Sequence, residues 1–519
     1  MTTFATHGDL LKLLYAAFGV LPRKEAGAED FDETSKKSLQ TRLNRLARES
    51  GALVDNYRQA IETFRSLMAQ YLPNPIHMDS LSMVVSDLEA VYAGMIREEG
   101  TYLDRRESLK YFISTKAVPN FVLALNRSLL LCHAYQEDGL WDDDPLWYLP
   151  TRAADGKLTM PLAKAMRWAY AYSGCSQRRF HYPRAPDAKP APVLEQNLDN
   201  AVRWTGAKRM PSLPALLTNF QESFAALQAH GRPVDPARQR RILTTLVFAR
   251  LASYLATALR DDCGSTYLDD VCGQIRQLTG LLQREVQEFI AEVAPHIDRK
   301  PPETRFATWS RECLKHEQHV RWKTSMAAAE LLELYKATPG GPFDPEVLTR
   351  LTRKFGGFAV HANLDCLRRV DANTVPQGFA ELLFTGRDLR RSPDTTLAQI
   401  DEFERRVHAA GLQEALCWLA PWLRGAYYYR RDDFASAFGH YKSAFHLAKY
   451  RAGSYQYTLV NQYVELACKN DDEVAIRQGV DWAAYIGEEL RWLRDKEPTQ
   501  DHLDTMRFMM KKANYAHQL

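Results

Sequence analysis

The apolar residues from Leu39 to Tyr71 follow one another at steps of three, four and seven positions. This spacing places them on one stripe of an α-helix, because a helix turns once in about 3.6 residues. The same spacing returns over 81–95 and 271–293, whereas strand-like alternation is almost absent and is best approximated at 454–460. We therefore predict an all-α fold in which one long helix runs from Leu39 to Tyr71.

Proline-rich breaks divide the 519 residues into several helical units. Segment 178–192 holds four prolines and no apolar period, which indicates a linker or an exposed loop. A chain of this length has room for about three domains. The predicted units are an N-terminal helical domain at 1–177, the linker or loop at 178–192, a helical domain at 193–299, a helical connector at 300–395 and a C-terminal domain at 396–519.

Charge and cysteine content limit the classes of function. Lys and Arg number 67 and Asp and Glu 64, so the formal charge of +3 creates no strong field over the whole protein. None of the eight cysteines forms a CxxC pair, which argues against a zinc ribbon and favours a reducing compartment. The N-terminus lacks the features of a secretory signal, and Arg250 interrupts the most apolar run, 242–259, which is too short to span a bilayer. We predict a cytoplasmic protein with no membrane association, no metal and no cofactor.

Five residues near the C-terminus have the size and spacing of a known helical repeat. They are Gly425, Tyr428, Ala437, Tyr441 and Ala444, at offsets 0, 3, 12, 16 and 19. The segment resembles one tetratricopeptide repeat, a pair of helices in which a small residue lets the first helix approach the second closely. Shifting the pattern by 34 residues in either direction destroys most of the match.

The resemblance implies a stack of helical hairpins in the C-terminal domain, because one repeat cannot bury its own faces. Pro421 and Lys449 depart from the family, which often has Trp and Pro at those positions. In that family the first helix of each repeat lines a concave surface that binds peptides. The residues of this chain that match those positions are Leu419, Trp422, Ala426, Tyr429 and Arg430.

Trp422, Tyr429 and Arg430 are the candidate partner-binding residues, since Trp, Tyr and Arg dominate binding hot spots. For Trp422 the alternative is burial against the preceding hairpin. The expected function is that of a protein–protein interaction adaptor or scaffold subunit of a cytosolic complex, and we expect a protein partner.

A first alternative function rests on a basic segment. Residues 178–241 contain eleven Lys and Arg and five Asp and Glu, a local balance of +6. A helix that ends at Trp204, a turn at Gly206 and a helix that opens at Pro211 look like part of a helix-turn-helix, although an ordinary helical pair with Trp204 in its core would look the same. The candidate nucleic-acid contacts, which would hold phosphates in a nucleic-acid-binding regulator, are Arg203, Lys208 and Arg209.

A second alternative is catalytic. Arg311 and His316 have the Arg-x4-His spacing of HEPN-type ribonucleases, and Arg127 and His133 have a looser form of it. The resemblance implies a helical nuclease in which the histidine acts as base and the arginine holds phosphate. Glu312 departs from the small polar residue that usually follows the arginine, and short spacings of this kind carry many false matches.

Overall fold

The structure is a computed structural model that describes residues 6–19, 33–48, 53–72, 75–98, 105–134, 144–206, 209–337, 343–369, 376–493 and 499–512. Helices dominate these residues, and the strands among them form one short antiparallel pair. The predicted all-α fold class is therefore confirmed.

The helices follow one another in four groups. The first group is α1 (His7–Phe18), α2 (Glu33–Ala47), α3 (Leu53–Tyr71), α4 (Pro75–Glu98), α5 (Arg105–Phe112), the π-helical turn Ile113–Ala117 and α6 (Val118–Ala134). The second is β1 (Thr151–Arg152), β2 (Leu158–Thr159), α7 (Pro161–Tyr172), α8 (Gln177–His181), α9 (Pro192–Thr205), α10 (Leu213–Ala229) and α11 (Pro236–Cys263). The third is α12 (Ser265–Asp298), α13 (Pro302–Ala337), α14 (Pro345–Phe355) and α15 (Gly357–Arg369). The fourth is α16 (Phe379–Arg391), α17 (Leu397–Ala409), α18 (Leu419–Tyr429), α19 (Phe434–Ala448), α20 (Tyr455–Lys469), α21 (Glu473–Tyr485) and α22 (Gln500–Lys512).

One predicted helix is in fact two. The stripe from Leu39 to Tyr71 is divided between α2, which ends at Ala47, and α3, which begins at Leu53. Gly51 lies between them in the sequence, and glycine is among the poorest helix formers. The apolar period continues across the break, so periodicity alone did not show where the first helix ends.

The largest hydrophobic core joins the two ends of the chain. Apolar residues of α1 to α5 pack with those of α16 to α22. The Gln456 side chain of α20 donates a hydrogen bond from Nε2 to the carbonyl oxygen of Ile96 at 2.6 Å. The His7 ring lies 4.1 Å from the Tyr485 ring, centroid to centroid. The predicted units 1–177 and 396–519 therefore share one core and do not pack independently.

The predicted linker at 178–192 is wrong at its start. Helix α8 includes residues 178–181, and Phe180 and His181 are fully buried. His181 Nε2 is hydrogen bonded to the Tyr170 hydroxyl at 2.9 Å, and burial lowers the pKa of His181 to about 3, so this histidine is a neutral core residue. Mostly exposed residues follow only from 184 to 191.

Helix α11 is the one described helix whose length and composition fit a membrane span. Half of its most apolar stretch is buried inside the protein. Arg250 in that stretch is also buried and donates from Nε to the Pro211 carbonyl at 2.7 Å and from Nη1 to the carbonyl of Ala17. Core helices meet the same criteria of length and composition, so the feature is weak evidence for a span.

A buried ion-pair network holds the long helix α13 against α4 and α6. Arg127 of α6 donates from Nη1 to Glu317 Oε2 at 2.7 Å, and both side chains are only 6% exposed. Arg321, one turn further along α13, donates to Glu317 Oε1 at 2.8 Å and to Asp87 of α4 at 2.9 Å. A carboxylate between two guanidinium groups satisfies charges that would be costly to bury alone.

We expect Glu317→Ala to lower the free energy of unfolding by about 3–5 kcal/mol, because it leaves the buried Arg127 without its counter-charge. Glu333→Ala is the matched control on the same helix, since Glu333 is exposed and its one ion pair among the described residues is with Lys336, and its effect should stay within about 0.5 kcal/mol. Urea unfolding followed by circular dichroism measures both. Equal losses in the two variants would show that the network does not stabilise the bundle.

Candidate functional sites

The C-terminal group forms three consecutive helical hairpins, α16–α17, α18–α19 and α20–α21. A turn at 431–433 lies between α18 and α19. Asp432 there and Asp471 between α20 and α21 both adopt left-handed backbone conformations, with φ of 57° and 56°. The residues that follow, Asp433 and Asp472, cap the next helices by accepting the backbone N–H of Ser436 and Ala475. The two turns are thus alike, and they are separated by 39 positions.

Gly425 allows α18 and α19 to pack closely. A Cβ atom placed on Gly425 would lie 2.6 Å from Cδ2 of Tyr441, far closer than van der Waals contact. Ala437, Tyr441 and Ala444 of α19 are all 0% exposed. Gly425 and Tyr441 therefore lie at the contact between α18 and α19, and the three α19 positions of the sequence pattern are buried.

The predicted partner-binding residues do not form an open groove. Trp422 and Tyr429 are each 1% exposed. Trp422 Nε1 donates to Gln462 Oε1 at 2.8 Å, and the Tyr429 hydroxyl donates to Glu465 Oε1 at 2.5 Å. Both acceptors belong to α20, which covers the face that we expected to be free. The prediction of exposed anchors is therefore wrong for Trp422 and Tyr429.

Arg430 and the two smaller groove positions are also occupied within the chain. Arg430 donates to the Ser392 carbonyl at 2.6 Å and to the carbonyl of Arg390, at the end of α16. Leu419 and Ala426 are buried. The alternative prediction, burial of Trp422, agrees with the structure. Trp422 contacts both the preceding and the following hairpin: the Arg390 guanidinium of α16 lies 4.5 Å from its ring centre, and α20 accepts its hydrogen bond.

Aromatic and cationic side chains of the same hairpin remain partly accessible elsewhere. Tyr427 and Tyr428 are half-buried, and Arg431 is exposed with its guanidinium 3.6 Å from the centre of the Tyr427 ring. His440 stacks on Tyr428 with centroids 5.3 Å apart, and partial burial together with the charge of Arg424 lowers the pKa of His440. The sequence analysis missed Tyr427 as a surface residue, although it is adjacent to Tyr428 in the pattern.

The helix-turn-helix interpretation of the basic segment does not hold. Trp204 is buried in the aromatic core of α7 to α11, as in the alternative of an ordinary helical pair. Residues 206–212 separate α9 from α10, which is longer than the three or four residues of that motif, and α10 contains no Lys or Arg. Arg203 and Arg209 are exposed. Lys208 lies outside the described residues.

Most cations of this segment nevertheless lack a counter-charge. Eight of its arginines are exposed, and in the part of the chain that the structure describes none of them forms an ion pair within 4 Å. These are Arg178, Arg179, Arg184, Arg203, Arg209, Arg232, Arg238 and Arg240. Some arginines elsewhere are neutralised, for example Arg424 by Glu404 at 2.6 Å and Arg152 by Asp269 at 2.9 Å.

Arg311 and His316 do not share a site. Helix α13 runs through both, so five residues place their side chains about 140° apart around its axis. The Arg311 side chain is 64% exposed and lies 3.6 Å from Glu312, whereas His316 stacks on Phe289 at 4.4 Å. The two side chains therefore do not converge, and the nuclease function stays a prediction. In the looser pair, Arg127 is held by Glu317, and the side chain of His133 lies outside the described residues.

Comparisons with protein-family models, with curated proteins and with solved structures found no match for this chain. The tetratricopeptide-like pattern therefore stays a prediction from the residues. Among the described residues, no three His, Cys, Asp or Glu side chains are grouped as metal ligands would be.

We expect Gly425→Ala to lower the free energy of unfolding by about 1–3 kcal/mol, because the added methyl group overlaps the Tyr441 ring. Gly439→Ala is the matched control in α19: a Cβ there meets no atom within 4 Å, and alanine favours a helix by about 1 kcal/mol over glycine. Thermal unfolding of the two variants should shift in opposite directions. A stabilising effect of Gly425→Ala would contradict the close packing of α18 and α19.

Proposed function

We propose that this protein is an adaptor or scaffold subunit of a cytosolic complex that binds a protein partner through its C-terminal hairpins, stacked as in tetratricopeptide repeats. The observation that supports the proposal most is the pair of equivalent capped turns at Asp432 and Asp471, which gives two successive hairpins the same connection. Packing of α22 on α20 continues the series beyond the last hairpin. Such stacks present pre-ordered helices, so little conformational entropy is lost on binding.

The binding surface in this proposal is the accessible aromatic and cationic face, defined by Tyr427 and Tyr428 on α18, by Arg431 in the turn that follows α18, and by Phe384 and Arg387 on α16. Phe384 is 50% exposed and carries the Arg387 guanidinium 4.9 Å from its ring centre. Tyr and Arg side chains held in place by such contacts are typical anchors of protein interfaces. Trp422 and Tyr429 support this face from inside and are not themselves contacts.

A photoreactive amino acid at position 427 of the intact protein should cross-link the partner in cells, and one at position 457 should not. Tyr457 is the control because it is a partly exposed tyrosine of α20 in the same hairpin series. Tyr427→Ala combined with Arg431→Ala should reduce recovery of the cross-linked partner by about tenfold or more, as expected for the loss of a hot spot worth at least 1.4 kcal/mol. Equal cross-linking from both positions would refute this face.

A second candidate function is nucleic-acid binding through residues 178–241. The specific observation in its favour is the set of eight exposed arginines without ion pairs. Arginine suits phosphate, because its planar guanidinium donates two parallel hydrogen bonds. Two guanidinium groups, of Arg238 and Arg241, also lie 5.2 and 5.4 Å from the ring centre of Tyr172, which stacks on Trp168.

Fluorescence anisotropy with labelled single- and double-stranded oligonucleotides over a salt series tests this candidate. The triple variant Arg203→Ala, Lys208→Ala and Arg209→Ala should weaken binding and reduce the slope of log K against log salt by about 2–3, close to one for each phosphate contact. The matched control removes three exposed cations of α13 through Arg311→Ala, Lys315→Ala and Lys336→Ala. A similar loss in the control would mean that only net charge matters.

A further inference from the structure

A cleft of about 510 Å³ opens between α12, α13 and the junction of α14 with α15. This volume is within the range of pockets that hold small molecules. One stripe of α12 forms one wall, and a stripe of α13 with the end of α14 forms the other. Glu285, Glu288 and Phe289 lie on the α12 wall, and His316, Lys323 and Arg353 lie on the wall opposite.

The two walls carry opposite charge. The α12 wall carries Glu285, Glu288 and Glu292 together with Arg284 and is net negative, while Lys323 and Arg353 stand on the other side. None of these six side chains forms an ion pair within 4 Å with any residue that the structure describes. The charges face one another across the cleft without touching, so each wall is open to a ligand of the opposite sign.

Glu285 is fixed in the wall by the backbone opposite. Its Oε1 accepts the N–H of Phe358, in the first turn of α15, at 3.4 Å. Gly356 has φ of 92°, and a Cβ on it would lie 2.4 Å from that oxygen, so the carboxylate needs glycine beside it. Burial raises the pKa of Glu285. The position of Glu285 in the wall therefore depends on the backbone N–H of Phe358 and on the absence of a side chain at Gly356.

An aromatic pair also lines the cleft. His316 and Phe289 stack with centroids 4.4 Å apart and planes 24° from parallel. Burial, followed by the charge of Lys323, lowers the pKa of His316 to about 4, so the ring is neutral near pH 7. The pair therefore gives the cleft an aromatic surface without adding charge.

We propose that this cleft binds a small zwitterion of the amino-acid or short-peptide class, with its ammonium group against Glu288 and Glu292 and its carboxylate against Lys323 and Arg353. A purely anionic ligand would meet the glutamates, and a purely cationic ligand would meet Lys323 and Arg353. Only a molecule with both charges satisfies the two walls, and an apolar side chain then lies on the His316–Phe289 pair. The site is independent of the adaptor function, because it lies among α12 to α15.

Isothermal titration calorimetry on the full chain tests the proposal with three forms of one dipeptide. Phenylalanyl-leucine with free ends is the zwitterion, its N-acetyl form keeps only the carboxylate, and its C-terminal amide keeps only the ammonium. We expect the zwitterion to bind, and each blocked form to bind at least about tenfold more weakly, equivalent to 1.4 kcal/mol. Absence of binding by the zwitterion at millimolar concentration, or equal binding of the three forms, overturns the proposal.

Variants assign the two charges to the two walls. With Lys323→Gln and Arg353→Gln together, the free dipeptide should bind no better than its amide. With Glu288→Gln and Glu292→Gln together, it should bind no better than its N-acetyl form. The control pair, Glu333→Gln and Lys336→Gln, changes exposed charges of α13 outside the cleft and should leave all affinities unchanged. Unaltered discrimination in either cleft variant overturns the assignment.

Discussion

Helix α20 lies inside the largest core and carries three polar side chains into it. Gln456, Gln462 and Glu465 are at most 1% exposed, and buried polar atoms are costly unless they are hydrogen bonded. Their partners are Trp482 and the Ile96 carbonyl for Gln456, Trp422 for Gln462, and Tyr429 for Glu465. One helix therefore determines both how α18 is oriented and where the N-terminal helices attach. The burial of Trp422 and Tyr429, which removes them from the proposed partner surface, follows from this requirement.

Local features of the chain were predictable because their causes are local. The spacing of Gly425, Tyr441 and Ala444 indicates that two helices approach closely. In the same way, Asp344 and Pro345 are residue types that favour the start of a helix, and α14 begins there. Local sequence does not determine which segment of the chain packs against a given helix face. Periodicity shows that Trp422 and Tyr429 share a stripe, but the residue that covers Trp422 lies 40 positions further along the chain.

The same reason explains why predictions failed where they depended on contacts between residues far apart in the sequence. The boundaries between units followed prolines, whereas His7 and Tyr485 meet in one core from opposite ends of the sequence. The Arg311–His316 pattern was identified from its spacing along the sequence. Because helix α13 is continuous through both residues, their side chains point in different directions from the helix axis. The cleft beside α13 was not found from the sequence, since its walls come from three segments and each charge alone looks like an ordinary surface residue.

In this protein, some charged residues stabilise the fold, and different charged residues belong to the proposed binding sites. Exposed ion pairs contribute only about 0–1 kcal/mol, so the eight exposed arginines of 178–241 lack ion pairs with the described residues at little cost to the fold. On α13 the residues of the stabilising network and those of the proposed cleft lie on different faces of the helix. Glu317 and Arg321 point into the ion-pair network, and His319 and Lys323, each two residues further on, lie about 200° away on the cleft side. Because the network closes on α4 and α6 without the cleft residues, the cleft can change its charges without loosening the helix that carries them.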